Sequence, residues 1–242
     1  MSFNIVVPAG AVEPWIGKCI KSVLDQTVED WRMIIVLDPQ GDSSYAAALS
    51  ASQNDERISV VLNKEPKLAL ANICFGADKI RNSEEDILVL LDGDDWLSGP
   101  TSLELVESFY EGTDTLVTHG SYQPSNGTRQ AKLGPYAAGE DVRRSSWKAT
   151  HLRTMKMKVW DSINQKDFLS SKGVFFESAW DLAIMMPALE IAGLDRVSFI
   201  DLDLYTYNNE NPVSDFRKRP EEQGMYEEYI RNKRPYERVE FK

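Results

Sequence analysis

Four short apolar runs, at residues 3–7, 31–37, 58–62 and 87–91, alternate with stretches of helical periodicity. Each run is too short for a core helix, rich in Val and Ile, and bounded by turn residues. Parallel neighbours need a crossover of a dozen or more residues, which the helical stretches supply. The pattern therefore predicts an α/β fold around a mainly parallel central sheet. In the first helical stretch Trp15, Ile16, Cys19, Ile20, Val23 and Leu24 recur at helix spacing, and the third covers residues 68–80. Residues 87–91 are apolar without interruption, as in a central strand covered on both faces.

The second half has a different texture. Residues 115–122 predict another strand, residues 180–192 a helix stopped by Gly193, and residues 197–200 and 204–207 two late strands. From Asn208 onward the chain is polar, a tail expected to wrap the surface or move freely. Nine Phe, nine Tyr and six Trp exclude a chain without a core. The net charge of −11 excludes a uniformly basic nucleic-acid binder, but it divides unevenly. Residues 143–172 carry eight Lys/Arg and two Asp, a local +6, leaving −17 elsewhere. Cys19 and Cys74 are the only cysteines, which predicts a reducing compartment without a thiolate metal site. No run approaches the ~20 apolar residues of a membrane span, and the N-terminus has no leader pattern. The expectation is a cytoplasmic protein without stable membrane attachment; no feature speaks to its oligomeric state.

Chemistry concentrates where the apolar runs stop. Ligands of open parallel sheets gather beyond the carboxyl ends of the strands. The run at 87–91 ends in Asp92-Gly93-Asp94-Asp95, and the run at 31–37 ends in Asp38. Asp92 and Asp94 form an oxygen-rich pair suited to a hard divalent cation, with Gly93 leaving room for a ligand; an isolated pair of this kind is otherwise an acidic turn capping the next helix. Asp38 is either a turn residue before Pro39 or a fixed acceptor for a nucleotide hydroxyl or imide. Lys67 and Asn72 flank the start of the third helix, where a phosphate would be favoured; otherwise they are a surface cation and a capping amide. His119 reads as packing at a strand end. His151 and Arg153 stand in the basic segment and suit phosphate, as an alternative to a solvated face.

Taken in order, these residues resemble family 2 glycosyltransferases of the GT-A fold. The matching elements are Ile5-Val6-Val7-Pro8, Ser22-Val23-Leu24-Asp25-Gln26-Thr27, Ile34-Ile35-Val36-Leu37-Asp38 and Leu91-Asp92-Gly93-Asp94-Asp95-Trp96. They cover the first 110 residues or so. A second block adds Thr150-His151-Leu152-Arg153-Thr154, Trp160-Asp161, Ala179-Trp180-Asp181-Leu182-Ala183, Met186-Pro187, Tyr207-Asn208 and Asn211-Pro212. The resemblance implies a donor-binding half at residues 1–110, an acceptor-binding and catalytic half at 111–207 of the same domain, and an extension at 208–242. It implies that Asp38 bonds the donor base, most often uracil, and that Pro8 and Gly10 let the nucleotide approach the backbone. Asp92 would sit by the ribose or metal, and Asp94 would coordinate Mn²⁺ or Mg²⁺ at the diphosphate. Two positions depart from the family pattern: Ala9-Gly10-Ala11 replaces Thr-x-Asn, and Pro39 replaces a second acid.

The family's base is an Asp in an acidic pair at the start of the late helix. Here Ser178-Ala179 stands in place of that pair, leaving Glu177 and Asp181 as candidates. Asp181 is preferred because Trp180 beside it can shield a carboxylate or stack on a sugar. The implied activity is metal-dependent, inverting transfer from a nucleotide sugar, most often a UDP-sugar, to an acceptor hydroxyl. The acceptor is a glycan or, given the +6 segment, a hydroxymethylated base in viral DNA. Two other activities compete. A nucleotidyltransferase would need a basic Gly-rich loop, which residues 8–14 lack; a binding module of the same fold without chemistry would explain the broken acidic pair.

Overall fold

The structure, a computed structural model, describes residues 1–128, 133–212 and 220–241. The four apolar runs become β1 (Phe3–Ala9), β2 (Trp31–Leu37), β3 (Ile58–Leu62) and β4 (Ile87–Leu90), joined by α1 (Ile16–Leu24), α2 (Ser44–Ala51) and α3 (Leu68–Ile80). β1 pairs in parallel with β2 and β4, and β2 with β3. Side-chain direction alternates along β1. Phe3, Ile5 and Val7 pack into one core with Ile16, Cys19 and Ile20 of α1, while Val6 packs into the other with Leu70, Ile73 and Cys74 of α3. β1 and β4 are buried along their whole length because both faces of the sheet are covered there, whereas β3 at the edge is only partly buried.

The second half adds β5 (Trp96–Leu97), α4 (Ser102–Tyr110), β6 (Val117–Pro124), β7 (Thr150–Lys156), α5 (Met157–Asp161), α6 (Trp180–Ala192), β8 (Val197–Tyr207) and α7 (Pro220–Arg231). The eight strands lie in the order β3-β2-β1-β4-β7-β6-β8-β5. β7 runs antiparallel to both β4 and β6, whereas β6 and β8 are parallel. Three features differ from the sequence reading. β7 lies at the centre of the sheet but falls in the segment read only as basic. The two late strands are one, β8, interrupted by register shifts opposite Ser121 and Tyr122. The polar tail contributes α7 and a stretch beyond it that packs on α6, with Val239 N donating to Ile191 O at 3.0 Å; residues 213–219 of that tail lie outside the described residues.

β7 lacks an apolar pattern because its polar side chains have partners inside the fold. Thr154 Oγ1 lies 2.7 Å from both Tyr110 Oη and Thr118 Oγ1, and Lys156 Nζ donates to Glu85 O at 2.9 Å. A buried hydroxyl or ammonium is tolerated on these terms.

Gly76 brings α3 tight against the sheet. A Cβ there would sit 2.6 Å from Val6 Cγ1 and 3.3 Å from Ile34 Cγ2. Gly76→Ala should destabilise the protein: overpacking costs about 1–3 kcal/mol and exceeds the ~1 kcal/mol of helix propensity gained. Urea denaturation measures the difference, and a higher midpoint for the variant would contradict the packing.

Candidate active site

The carboxyl ends of β1, β2 and β4 meet the first residues of β7 and α6 around a cleft of about 540 Å³. Antiparallel pairing of Leu90 with Arg153 brings the start of β7 beside the end of β4. Residues far apart in sequence thus converge: Pro8, Gly10, Asp38, Asn72, Asp92, Asp94, His151, Arg153, Trp180 and Asp181 all line the cleft. Lys67, Gly93 and Glu177 stand outside its lining. The Lys67 ammonium pairs with Glu65 on the surface. The Gly93 amide donates to Pro8 O at 3.2 Å, and a Cβ on Gly93 would lie 2.8 Å from Ala9 Cβ. The close approach its missing side chain permits is therefore to β1.

Asp38 is buried and accepts four hydrogen bonds from its own chain. Oδ1 receives Asn63 Nδ2 at 2.8 Å, Lys67 N at 3.0 Å and Asn72 Nδ2 at 3.1 Å, while Oδ2 receives Leu68 N at 2.7 Å. A carboxylate offers about four lone-pair positions, so Asp38 fastens the entry of α3 to the end of β2. Leu68 carries a φ of 68° in this loop, an uncommon conformation for a residue with a side chain. The sequence reading found Asp38 and Asn72 separately; in the fold they bond each other directly, and Asn63, which carries no motif, donates to both.

The acidic cluster divides into unlike members. Asp95 is 1% exposed; Tyr205 Oη donates to its Oδ2 at 2.6 Å and Asn208 N to its Oδ1 at 2.7 Å. Burial, then the charges of Asp94 and Asp92, push its carboxyl well above the usual range. Burial, then Asp95 and Asp92, also raise the Tyr205 hydroxyl, which stays a neutral donor. Asp94 Oδ2 accepts from Asn211 Nδ2 at 2.7 Å. Ligand atoms of Asp92, Asp95 and His151 lie within 4.8 Å of one another. The site suits a divalent cation in its donor chemistry, because hard oxygens predominate. A cation would also relieve the mutual repulsion that raises Asp95.

Across the cleft, Asp181 opens the first turn of α6. Its Oδ2 accepts from Arg153 Nη2 at 3.0 Å. Arg153, 4% exposed, also donates from Nε to Ala149 O at 3.0 Å and from Nη1 to His151 Nδ1 at 3.3 Å. Its guanidinium carbon lies 5.2 Å from the Trp180 ring centroid. His151 stacks on Tyr205 with centroids 4.2 Å apart, and burial, followed by the Arg153 charge, holds the imidazole well below its ordinary pKa. Trp147, Tyr122, Tyr207 and Gln223 complete this side. Gln223 belongs to the helix in the polar tail, whose sequence gives no sign of reaching the cleft.

Most of the +6 segment is paired, and its exposed Arg144, Lys166 and Lys172 do not line the cleft. Arg143 pairs with Glu190, Lys148 with Glu140, Arg153 with Asp181, and Lys156 and Lys158 both with Glu85. Arg153 is the single Lys or Arg lining the cleft among the described residues. His119 packs against Tyr136 and Phe199; it is a packing residue, but one buried inside β6 and not at a strand end.

The sequence pattern described as "Glycosyl transferase family 2" matches residues 4–182, well over half of the chain. The uncharacterized glycosyltransferase EpsJ of Bacillus subtilis is 27% identical over 220 residues, covering 87% of this chain and 62% of that protein. Among solved structures, residues 1–349 of Staphylococcus aureus TarS in complex with UDP-GlcNAc superpose with a TM-score of 0.65 at 15% identity, covering 87% of this chain and 59% of that one. The mannosyltransferase PcManGT of Pyrobaculum calidifontis, in complex with GDP-Man and Mn²⁺, gives 0.64 at 12% identity, covering 96% and 66%. The chain thus spans less than two thirds of the length of these proteins, and the structural likeness is one of fold.

Proposed function

Because this chain belongs to glycosyl transferase family 2 and has the GT-A fold, we propose that it moves a sugar from a nucleotide sugar to an acceptor hydroxyl with inversion at the anomeric carbon. The observation that carries this reading is a carboxylate, Asp181, held by a buried Arg153 across one cleft from the acidic end of β4. Asp92 and Asp94 hold the cation, Mn²⁺ or Mg²⁺, with Asp95 fixed behind them by Tyr205 and Asn208. When bound, that ion neutralises the charge gathering on the departing diphosphate. The nucleotide lies along the ends of β1 and β2, by Pro8, Gly10 and the loop that Asp38 anchors, with UDP as the first choice of carrier.

Asp181 acts as general base. The acceptor oxygen forms its bond to the anomeric carbon as the bond to the diphosphate oxygen breaks, and the hydroxyl proton passes to Asp181. No covalent enzyme intermediate is needed. Asp181 is preferred to Glu177 because only Asp181 lines the cleft.

The acceptor is a saccharide in preference to a modified DNA base. Trp147, Trp180, Tyr122 and Tyr207 give the cleft half-buried aromatic faces, which suit sugar rings. Its one lining guanidinium among the described residues is committed to Asp181, Ala149 and His151, so among those residues no cation is left to meet the phosphates of a nucleic acid. No helix among the described residues is long and apolar enough to cross a membrane. Both cysteines are buried thiols, Cys74 pushed up to about 12 by burial.

The test is calorimetric binding of UDP with and without Mn²⁺, followed by UDP release from UDP-sugars over a panel of saccharides. Metal-dependent binding and acceptor-stimulated release are expected. Binding without release over the whole panel would instead favour a module without chemistry. In a gel shift at low salt, duplex DNA should not be retained; salt-sensitive retention would restore DNA as the acceptor.

A further inference from the structure

We infer that Arg153 is a positioning residue with two effects: it orients the Asp181 carboxylate, and by occupying the Nδ1 lone pair of His151 it keeps that imidazole from serving as a metal ligand. The inference rests on the reading of Asp181 as base and of Asp92 and Asp94 as the cation's holders.

By distance alone, Asp92, Asp95 and His151 form the obvious three-ligand centre, their ligand atoms lying within 4.8 Å of one another. The hydrogen bonds argue against it. A guanidinium has five N–H donors and no acceptor. The Arg153 Nη1 contact to His151 Nδ1, at 3.3 Å, is therefore a hydrogen bond only if Nδ1 carries the lone pair. A neutral imidazole has one N–H, which is then on Nε2. One nitrogen is occupied and the other is protonated, so neither has a lone pair for an ion. Asp95 is held in place as well, with an oxygen to Tyr205 Oη and the other to Asn208 N, but its carboxylate keeps lone pairs, so it is the imidazole that the centre lacks. His151 instead works as a wall, stacked on the Tyr205 ring whose hydroxyl holds Asp95.

Arg153 can do this because it is itself immobilised. Nε is tied to Ala149 O, Nη1 to His151 and Nη2 to Asp181, and the side chain is 4% exposed. A planar fork with three fixed contacts constrains orientation in a way a lysine ammonium cannot. The base at the start of α6 and the wall of the acidic site are thereby set by one group.

Long-range ¹H–¹⁵N NMR of the imidazoles tests the inference directly. The chain has two histidines, and the His151 signals are those lost in His151→Gln. In the wild type near neutral pH, Nδ1 should be bare and Nε2 protonated, both before and after addition of UDP and Mg²⁺. In Arg153→Met, Nδ1 should become at least partly protonated. Its turnover number should fall about 100-fold, the scale of a misplaced reacting group, with the donor KM changed less than about threefold. A protonated Nδ1 in the wild type, loss of the Nε2 proton on adding UDP and Mg²⁺, or wild-type turnover in Arg153→Met would overturn the inference. If the Met variant does not fold, Arg153→Lys replaces it: it retains the charge but cannot reach all three partners, and the same shifts are expected. The wild-type imidazole reading needs no turnover. It therefore stands or falls apart from the assignment of Asp181, which its own substitution decides.

Discussion

Asp181→Asn is expected to abolish sugar transfer while leaving UDP binding intact. The replacement is nearly isosteric, and its amide oxygen still accepts from Arg153 Nη2, which lies 3.0 Å from Oδ2 in the wild type. What disappears is the capacity to take the acceptor's proton. General acid–base groups contribute about 10²–10⁴-fold, so acceptor-dependent UDP release should fall by that factor. Calorimetric affinity for UDP with Mn²⁺ should stay within about twofold, because the ends of β1, β2 and β4 are untouched. Glu177→Gln is the matched control and should turn over at close to the wild-type rate. Near-normal turnover in Asp181→Asn together with a large loss in Glu177→Gln would exchange the two assignments. Loss of UDP affinity in Asp181→Asn would mean that the carboxylate serves the donor side of the cleft.

Why Asp181 could be found in the sequence, and Arg153's hold on it could not, follows from the kind of signal each leaves. β1, β2 and β4 were legible because both faces of the sheet are covered there, and Ile5, Val6 and Val7 had to be apolar in either direction; β3, at the edge, is only partly buried and was legible from its Val and Ile content. The carboxylates at their ends stood out as polar interruptions of that pattern. β7 left no such trace. Its polar residues Arg153, Thr154 and Lys156 are buried and satisfied by Asp181, Tyr110, Thr118 and Glu85, partners distant in sequence.

Charge summed along the chain misled for a related reason. Lys156 and Lys158 bracket one carboxylate, Glu85, and Arg143 faces Glu190. Five of the eight cations in this segment are paired with acids, and Arg144, Lys166 and Lys172 are left exposed outside the cleft lining. Local net charge predicts partners only where the side chains share a face and lack counter-ions. The acidic quartet shows the converse: three carboxylates in four residues read alike, yet burial, Tyr205 and Asn208 set Asp95 apart from Asp92 and Asp94.

The polar tail, whose sequence leaves open whether it wraps the surface or moves freely, carries the largest expected effect on stability. Arg143 and Glu190 form a bidentate pair, Nε to Oε1 at 2.5 Å and Nη2 to Oε2 at 2.8 Å, with side chains 4% and 10% exposed. Around it, Arg143 Nη1 donates to Ile230 O at 2.6 Å, Arg231 Nη1 to Arg143 O at 2.9 Å, and Tyr236 N to Glu190 Oε2 at 2.9 Å. One ion pair thus joins the segment before β7, the C-terminal part of α6, α7 and the residues after it. Glu190→Ala would leave a buried guanidinium uncompensated, a loss of about 3–5 kcal/mol. For a chain of this length each kcal/mol lowers the melting temperature by roughly 2–4 °C, so a drop of roughly 6–20 °C is expected in calorimetry. Arg143→Met with Glu190→Leu should recover most of it, since replacing both charges by apolar groups removes the desolvation penalty along with the attraction. An equal loss in the double variant would show that the backbone contacts at Ile230 and Tyr236, and not the pair, hold the tail. Below the melting range Glu190→Ala should still transfer sugar, because Asp181 and Arg153 lie at the other end of α6 and keep their own bonds.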